Sequence, residues 1–374
     1  MQVPKLRFKE FNDEWQLKKL NEIANIYDGT HQTPKYTKSG VPFVSVEDIK
    51  NIYGTTKFIS KDDFQKNFKI KPQKNDILMT RIGDVGTPAI VKNDNDIAFY
   101  VSLSLIKFAK QYIYIYIYIY IYQYIFTPYF KKELHNKILH VAFPKKINLT
   151  DIGKCKVFLP SSKEQTKIAD FLSLIDRKIE LQEKLVENLK LYKKGLLKKV
   201  FSNNHGWKSA KLGDICNIIK GIQLNKSNLL ENGFYYCLNG GITPSGYTNN
   251  WNVEENTISI SEGGNSCGYV NFNKRKFWSG GHCYSLQNVT IDNEYLYSYL
   301  KFKEKTIMDL RVGTGLPNIQ KSAIENFEVK YPNIEEQNQI ANLFTSLDKK
   351  IELETKKLQD LKTYKKGLLQ KMFI

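Results

Sequence analysis

The chain has 374 residues, 56 of them Lys or Arg against 38 Asp or Glu, giving a net charge of +18 at pH 7. That length allows two domains with cores of their own, and the charge favours a polyanionic partner, nucleic acid foremost, with a solvated basic surface as the plainer alternative. Five cysteines (155, 216, 237, 267 and 283) without a CxxC pair argue against a disulfide framework, and no run of about 18 apolar residues suggests a membrane helix. With no signal-type apolar core in MQVPKLRFKEF, a soluble cytoplasmic protein is expected.

The first elements read as strands and loops. Gly40–Ile49 (GVPFVSVEDI) and Asp76–Thr80 (DILMT) alternate as half-buried strands do. Polar loops flank them, Thr30-His31-Gln32-Thr33-Pro34-Lys35 and Thr80-Arg81-Ile82-Gly83-Asp84. Tyr112–Tyr122 then reads YIYIYIYIYIY. Its two-residue period and β-forming residues argue for a strand, but the corresponding Asn293–Lys305 looks helical, so either a helix lengthened by a simple repeat or a strand is expected.

Glu164–Phe201 is a long helix. Ile168, Leu172, Ile175, Ile179, Val186, Leu189, Leu196 and Val200 fall at alternating spacings of three and four, a coiled-coil seam. Gln182 interrupts it, either as a tolerated polar position or as a register-fixing one. At 1.5 Å per residue, the helix spans roughly 57 Å.

The second half repeats this order. Trp15, Leu20, Ile23 and Gly29 recur 192 positions later as Trp207, Leu212, Ile215 and Gly221. Lys220-Gly221-Ile222-Gln223-Leu224-Asn225-Lys226 and Glu262-Gly263-Gly264-Asn265-Ser266 match the earlier loops, Thr257–Ser261 (TISIS) reads as a strand, and Asn239–Asn250 reads as a loop. Glu336–Phe373 repeats Glu164–Phe201 at a constant offset of 172, identical at 20 of 38 positions, with Glu354 in place of Gln182. The offset falls from 192 to 172, so the first variable region is 20 residues longer. Neither helix can bury its stripe alone, so the two copies are expected to pack antiparallel as a rigid spacer. A pseudo-twofold chain suits a pseudo-twofold ligand such as duplex DNA.

The motifs of catalysis are missing. No GxxxxGK[ST] phosphate loop, GxGxxG helix opening or HExxH occurs, and Thr127-Pro128-Tyr129 lacks the second proline and the amide of a base-methylating motif. His282 and Cys283 are adjacent on a strand and so point to opposite faces, against a shared metal. Glu328-Val329-Lys330 is too short a match to imply a nuclease. The loops offer recognition instead, with Thr30, His31, Gln32, Lys35, Thr80 and Arg81 as DNA-binding candidates in the first half. Lys220, Gln223, Asn225, Lys226, Glu262, Asn265 and Ser266 are those of the second. A solvated polar group is the bland reading for any one of them. The same holds for Lys190, Lys193, Lys194, Lys198 and Lys199 at a helix C-terminus.

The duplicated EQxxIA…DxKIE…YKKGLLxKxF segments, the approach GLPNI…YPNIEEQ and the block Gly240–Leu286 together resemble the specificity subunit of type I restriction-modification enzymes, over nearly the whole chain. The resemblance implies an α/β (α+β) fold in which two mixed α/β target recognition domains, 1–160 and 203–332, are separated by two antiparallel coiled-coil helices, 161–202 and 333–374. Each domain would read half of a bipartite site in double-stranded DNA, about a helical turn apart, with helix length setting the gap. The partners would be two methyltransferase subunits and restriction subunits. They carry the S-adenosylmethionine, ATP and Mg²⁺ chemistry, and this subunit is implied to have no catalytic residue, metal or cofactor. The Tyr-Ile tract is no family motif. Rival readings are a stand-alone DNA-binding regulator and, against the missing motifs, a self-sufficient nuclease or methyltransferase.

Overall fold

The computed structural model describes residues 3–109, 117–139, 141–313, 315 and 317–374, so residues 112–116 of the Tyr-Ile tract and Leu316 of the Gly-Leu-Pro-Asn motif lie outside the described residues. The chain divides into two compact units, Met1–Gln182 with Lys357–Ile374, and Glu183–Lys356. Among the described residues no helix is long and apolar enough to cross a membrane.

In the first unit β1 (Gln16–Lys19) pairs antiparallel with β9 (Lys156–Leu159). A four-stranded antiparallel sheet has the order β2 (Ala24–Asp28), β8 (Leu103–Phe108), β5 (Ile77–Thr80), β6 (Pro88–Ile90). A three-stranded sheet places β3 (Val41–Val44) between β4 (Phe58–Ile59) and β7 (Ala98–Phe99), the last parallel to it. The second unit repeats this strand for strand. β10 (Lys208–Lys211) pairs with β18 (Glu328–Tyr331). The order β11 (Asn217–Lys220), β17 (Cys283–Gln287), β14 (Thr257–Ser261), β15 (Val270–Asn273) forms the four-stranded sheet. β12 (Tyr235–Leu238) lies between β13 (Gly246–Thr248) and a parallel β16 (Trp278–Ser279).

Two sequence expectations change. The alternating TISIS of β14 reads as half-buried, yet all five residues are buried. Its serines tolerate this because each is hydrogen-bonded: Ser259 Oγ accepts from Asn273 Nδ2 at 2.9 Å and Ser261 Oγ donates to the Gly240 carbonyl at 2.5 Å. The Asn239–Asn250 loop contains strand β13, whose pairing with β12 uses main-chain groups that polar side chains do not advertise.

The described end of the Tyr-Ile tract is helical, α1 (Ile117–Ile125). Ile117, Tyr120, Ile121, Tyr124 and Ile125 are buried, a helical stripe. Because every position of a Tyr-Ile repeat is apolar, the period-two pattern also satisfies a period of 3.6, and packing decides. Tyr120 Oη donates to the Phe158 carbonyl at 2.7 Å, and its ring and that of Tyr124 lie 5.5 and 5.6 Å from the ring of Phe373. In the second unit Tyr295 of α3 (Asn293–Phe302) donates to the Lys330 carbonyl at 2.7 Å, and Tyr295 and Tyr299 lie 5.8 and 5.5 Å from Phe201.

The long helices are α2 (Ser162–Ser202) and α4 (Ile334–Lys371). In the first unit, Ile168, Leu172 and Ile175 from the start of α2 share a core with Leu368 and Leu369 from the end of α4 and Met372 just beyond it. In the second, Leu197 and Phe201 share a core with Ile340, Ala341 and Phe344. The two helices thus run antiparallel within each unit. Asp176 accepts from Lys365 in one and Asp348 from Lys193 in the other, both at 2.5 Å. The repeated glutamine ties each helix to the proline before it: Gln165 Nε2 donates to Pro160 O at 2.8 Å, Gln337 Nε2 to Pro332 O at 2.9 Å.

Candidate nucleic-acid interface

In each unit one polar loop leaves the four-stranded sheet at an edge strand, β2 or β11, and the other at an inner strand, β5 or β14. β2 ends at Asp28 and β11 at Lys220, and each is followed by a glycine under another stretch of backbone. A Cβ on Gly29 would sit 2.5 Å from the Phe99 carbonyl oxygen, and one on Gly221 2.3 Å from that of Gly280. No side chain fits there, so both loops are pinned at their roots.

In the first unit, His31, Gln32 and Lys35 are exposed and Thr30 is half-buried. His31 Nε2 lies 2.7 Å from Asp28 Oδ2. Thr80 is fully buried, its hydroxyl accepting from the Thr87 amide at 2.9 Å. Arg81 is buried too. Its Nη1 donates to Asp28 Oδ1 at 2.7 Å and to the Val101 carbonyl at 3.2 Å, and its Nε donates to the Ile147 carbonyl at 3.2 Å. Arg81 therefore braces three chain segments and turns no charge outward.

In the second unit, Lys220, Gln223, Asn225, Lys226 and Asn265 are exposed. Ser266 is half-buried and donates to the Gly240 carbonyl at 2.6 Å. Glu262 is buried, accepting from Lys220 Nζ at 2.6 Å and Tyr284 Oη at 3.0 Å. His282 Nδ1 lies 3.4 Å from its other oxygen. Burial pushes the Glu262 carboxyl up, but Lys220 by its hydrogen bond and its charge, Tyr284 by its hydrogen bond and the nearby His282 imidazole outweigh it and hold it below the usual range.

Sequence reasoning passes over Asp28 and weighs His282 only as a metal ligand on a strand, whereas His282 stands in the turn before β17. The offset of 192 aligns Asp28 with Lys220, an acid with a base, but only the sheet register reveals what each one faces. His282 is exposed and Cys283 buried. All five cysteines are buried and unpaired, and burial pushes the thiols of Cys155 and Cys216 up to about 12 and that of Cys283 to about 11. Such thiols are poor nucleophiles and poor ligands. Among the described residues no three His, Cys, Asp or Glu cluster to hold a metal. The arrangement can offer donors, acceptors and positive charge to a ligand.

The family model of the type I restriction modification DNA specificity domain matches residues 12–191 and again 204–363. A putative type I specificity subunit of Mycoplasma pneumoniae is 35% identical over 155 residues, 40% of this chain and 41% of that protein. Its counterpart in Mycoplasma genitalium is 33% identical over 155 residues, 40% of each. The chain thus spans less than half the length of these two curated relatives. A putative type I restriction enzyme specificity subunit of Methanocaldococcus jannaschii is 23% identical over 411 residues, 98% of this chain and 94% of that one. The crystal structure of a type I restriction-modification S subunit from M. genitalium shares the fold, with a TM-score of 0.70, 20% identity and coverage of 100% of this chain and 99% of that one.

Proposed function

The chain belongs to the type I restriction-modification DNA specificity family, and from that premise we propose that it is the non-catalytic specificity subunit of such a complex, reading a bipartite site in duplex DNA. The observation that carries this is the repetition of one strand order in both units, with different side chains on the matching loops. One scaffold presented twice with different readers is what two unlike half-sites require.

Each recognition domain, 1–160 and 203–332, reads its own half-site. The exposed His31, Gln32, Lys35, Gln223, Asn225, Lys226 and Asn265, with Thr30, Lys220 and Ser266 beside them, contact base edges and phosphates. The buried Thr80, Arg81 and Glu262 hold the loops that carry them. The positive charge captures duplex by displacing counterions, and the loops then select sequence.

The shared helices, 161–202 and 333–374, space the domains and dock two methyltransferase subunits, with restriction subunits joining them. The first unit exposes Leu181 and Tyr364 on these helices, and the second exposes their repeat mates Leu353 and Tyr192. A repeated exposed Leu-Tyr pair suits two copies of one partner. The protein acts in the cytoplasm, where its buried thiols stay reduced.

Mapping methylated adenines in a genome with and without the gene tests the reading. The expected result is a bipartite motif that vanishes on deletion. Methylation unchanged by deletion, or a continuous motif lost in its place, overturns it.

A further inference from the structure

Each unit clamps one carboxylate between a cation and a histidine, and the two units do so with their charges exchanged. Asp28 ends β2 and Arg81 follows β5; Lys220 ends β11 and Glu262 follows β14. These are the same places in the sheet. Asp28 lies opposite Ser104 and Thr80 opposite Leu103, as Lys220 lies opposite Tyr284 and Ser261 opposite Cys283. The bridge is kept at 2.7 Å in one unit and 2.6 Å in the other, but its polarity is inverted.

The carboxylate's second oxygen faces a histidine in both units, at hydrogen-bond distance in the first and at ion-pair distance in the second. Asp28 Oδ2 lies 2.7 Å from His31 Nε2, and Glu262 Oε2 lies 3.4 Å from His282 Nδ1. Glu262 Oε2 is buried and has no hydrogen-bond partner, so His282 is the group placed to satisfy it. Both imidazoles are otherwise open to solvent, with side chains 72% and 62% exposed. A carboxylate only accepts, so the ring nitrogen facing it carries the proton. In the neutral imidazole the other nitrogen, Nδ1 of His31 and Nε2 of His282, is then an oriented acceptor. Phosphate oxygens offer an acceptor nothing. In the major groove the donors are the exocyclic amino groups of adenine and cytosine.

Resting on the DNA-reading function above, we propose that His31 and His282 are the matched base-reading residues of the two units, each accepting from an adenine N6 or cytosine N4 amino group in its own half-site. Asp28 and Glu262 are their positioning residues. Because the acid stands on a different strand in each unit, the histidine comes from the loop after β2 in one and from the turn before β17 in the other. One chemistry is thereby delivered from two directions.

The test maps methylated adenines in cells carrying the full complex with the wild-type chain, His31→Ala, His282→Ala or Glu262→Gln. His31→Ala is expected to relax one base position in one half-site, with discrimination there falling about tenfold. His282→Ala and Glu262→Gln are expected to relax one shared position in the other half-site. Each variant leaves the opposite half-site unchanged. A wild-type complex with no bipartite motif sinks the parent reading. A wild-type motif that both histidine variants retain, or lose uniformly at all positions, overturns this inference alone.

Discussion

Arg81 and Lys35 look alike in the sequence, each a cation in a polar loop next to a strand. They differ in what the rest of the chain does to them. Arg81 is covered because the Val101 and Ile147 carbonyls, far along the chain, come to its guanidinium. Lys35 stays exposed. Polarity was therefore legible one residue at a time, and burial was not. Among the candidates, Thr80, Arg81 and Glu262 are the ones that burial separates from the exposed set. The cysteines make the same point in a testable way. With thiols pushed up to about 12 at Cys155 and Cys216 and about 11 at Cys283, the reactive thiolate at pH 8 is on the order of one part in a thousand or less. Burial raises Cys237 and Cys267 as well. Titration with a thiol reagent at pH 8 should find none of the five reacting promptly in the native protein and all five after denaturation. A fast native thiol would contradict the packing.

At the scale of elements, the long helices were readable because their apolar stripe and its repetition are explicit. The recognition-domain sheets were readable only as scattered strands. β5 and β14 carry buried residues on both faces, so the alternation expected of a half-buried strand misleads there. The Tyr-Ile tract was ambiguous for a physical reason: a sequence apolar at every position cannot choose its own period. The choice comes from Phe373, which packs against Tyr120 and Tyr124 as Phe201 packs against Tyr295 and Tyr299. The tract's last residues thus do the work of an ordinary recognition-domain helix, down to the hydroxyl that donates to a β9 carbonyl in one unit and a β18 carbonyl in the other. Tyr120→Phe and Tyr295→Phe keep the ring and remove only that donor. Each should lower stability by about 1 kcal/mol in denaturant unfolding of the full chain. A loss at Tyr295 with none at Tyr120 would mean that the tract does not hold its domain in the way its counterpart does.

For the whole molecule, the repeat at offset 172 is the feature the sequence displays most openly, and the contacts obey it. Lys365 with Asp176 and Lys193 with Asp348 are one contact made twice. The chain enters α2 in the first unit and leaves it in the second, then enters α4 in the second and leaves it in the first. Each unit therefore needs the start of one helix and the end of the other, and a change to one helix alone mismatches both ends. Under the proposed function, helix length sets the gap between half-sites, while the loops set the half-sites themselves. Removing seven residues centred on Val186 and seven on its repeat mate Leu358 keeps the seven-residue phase of both stripes and shortens each helix by roughly 10 Å. That exceeds the ~3.4 Å axial rise of one base pair. Methylation mapping with the doubly shortened chain should find both half-site sequences intact and at least one base pair fewer between them. Removing seven residues from α2 only should abolish specific methylation, since the Asp176 and Lys193 ends can no longer both find their partners. Altered half-site sequences at an unchanged gap would mean that the helices shape the readers, and that their length is not the ruler.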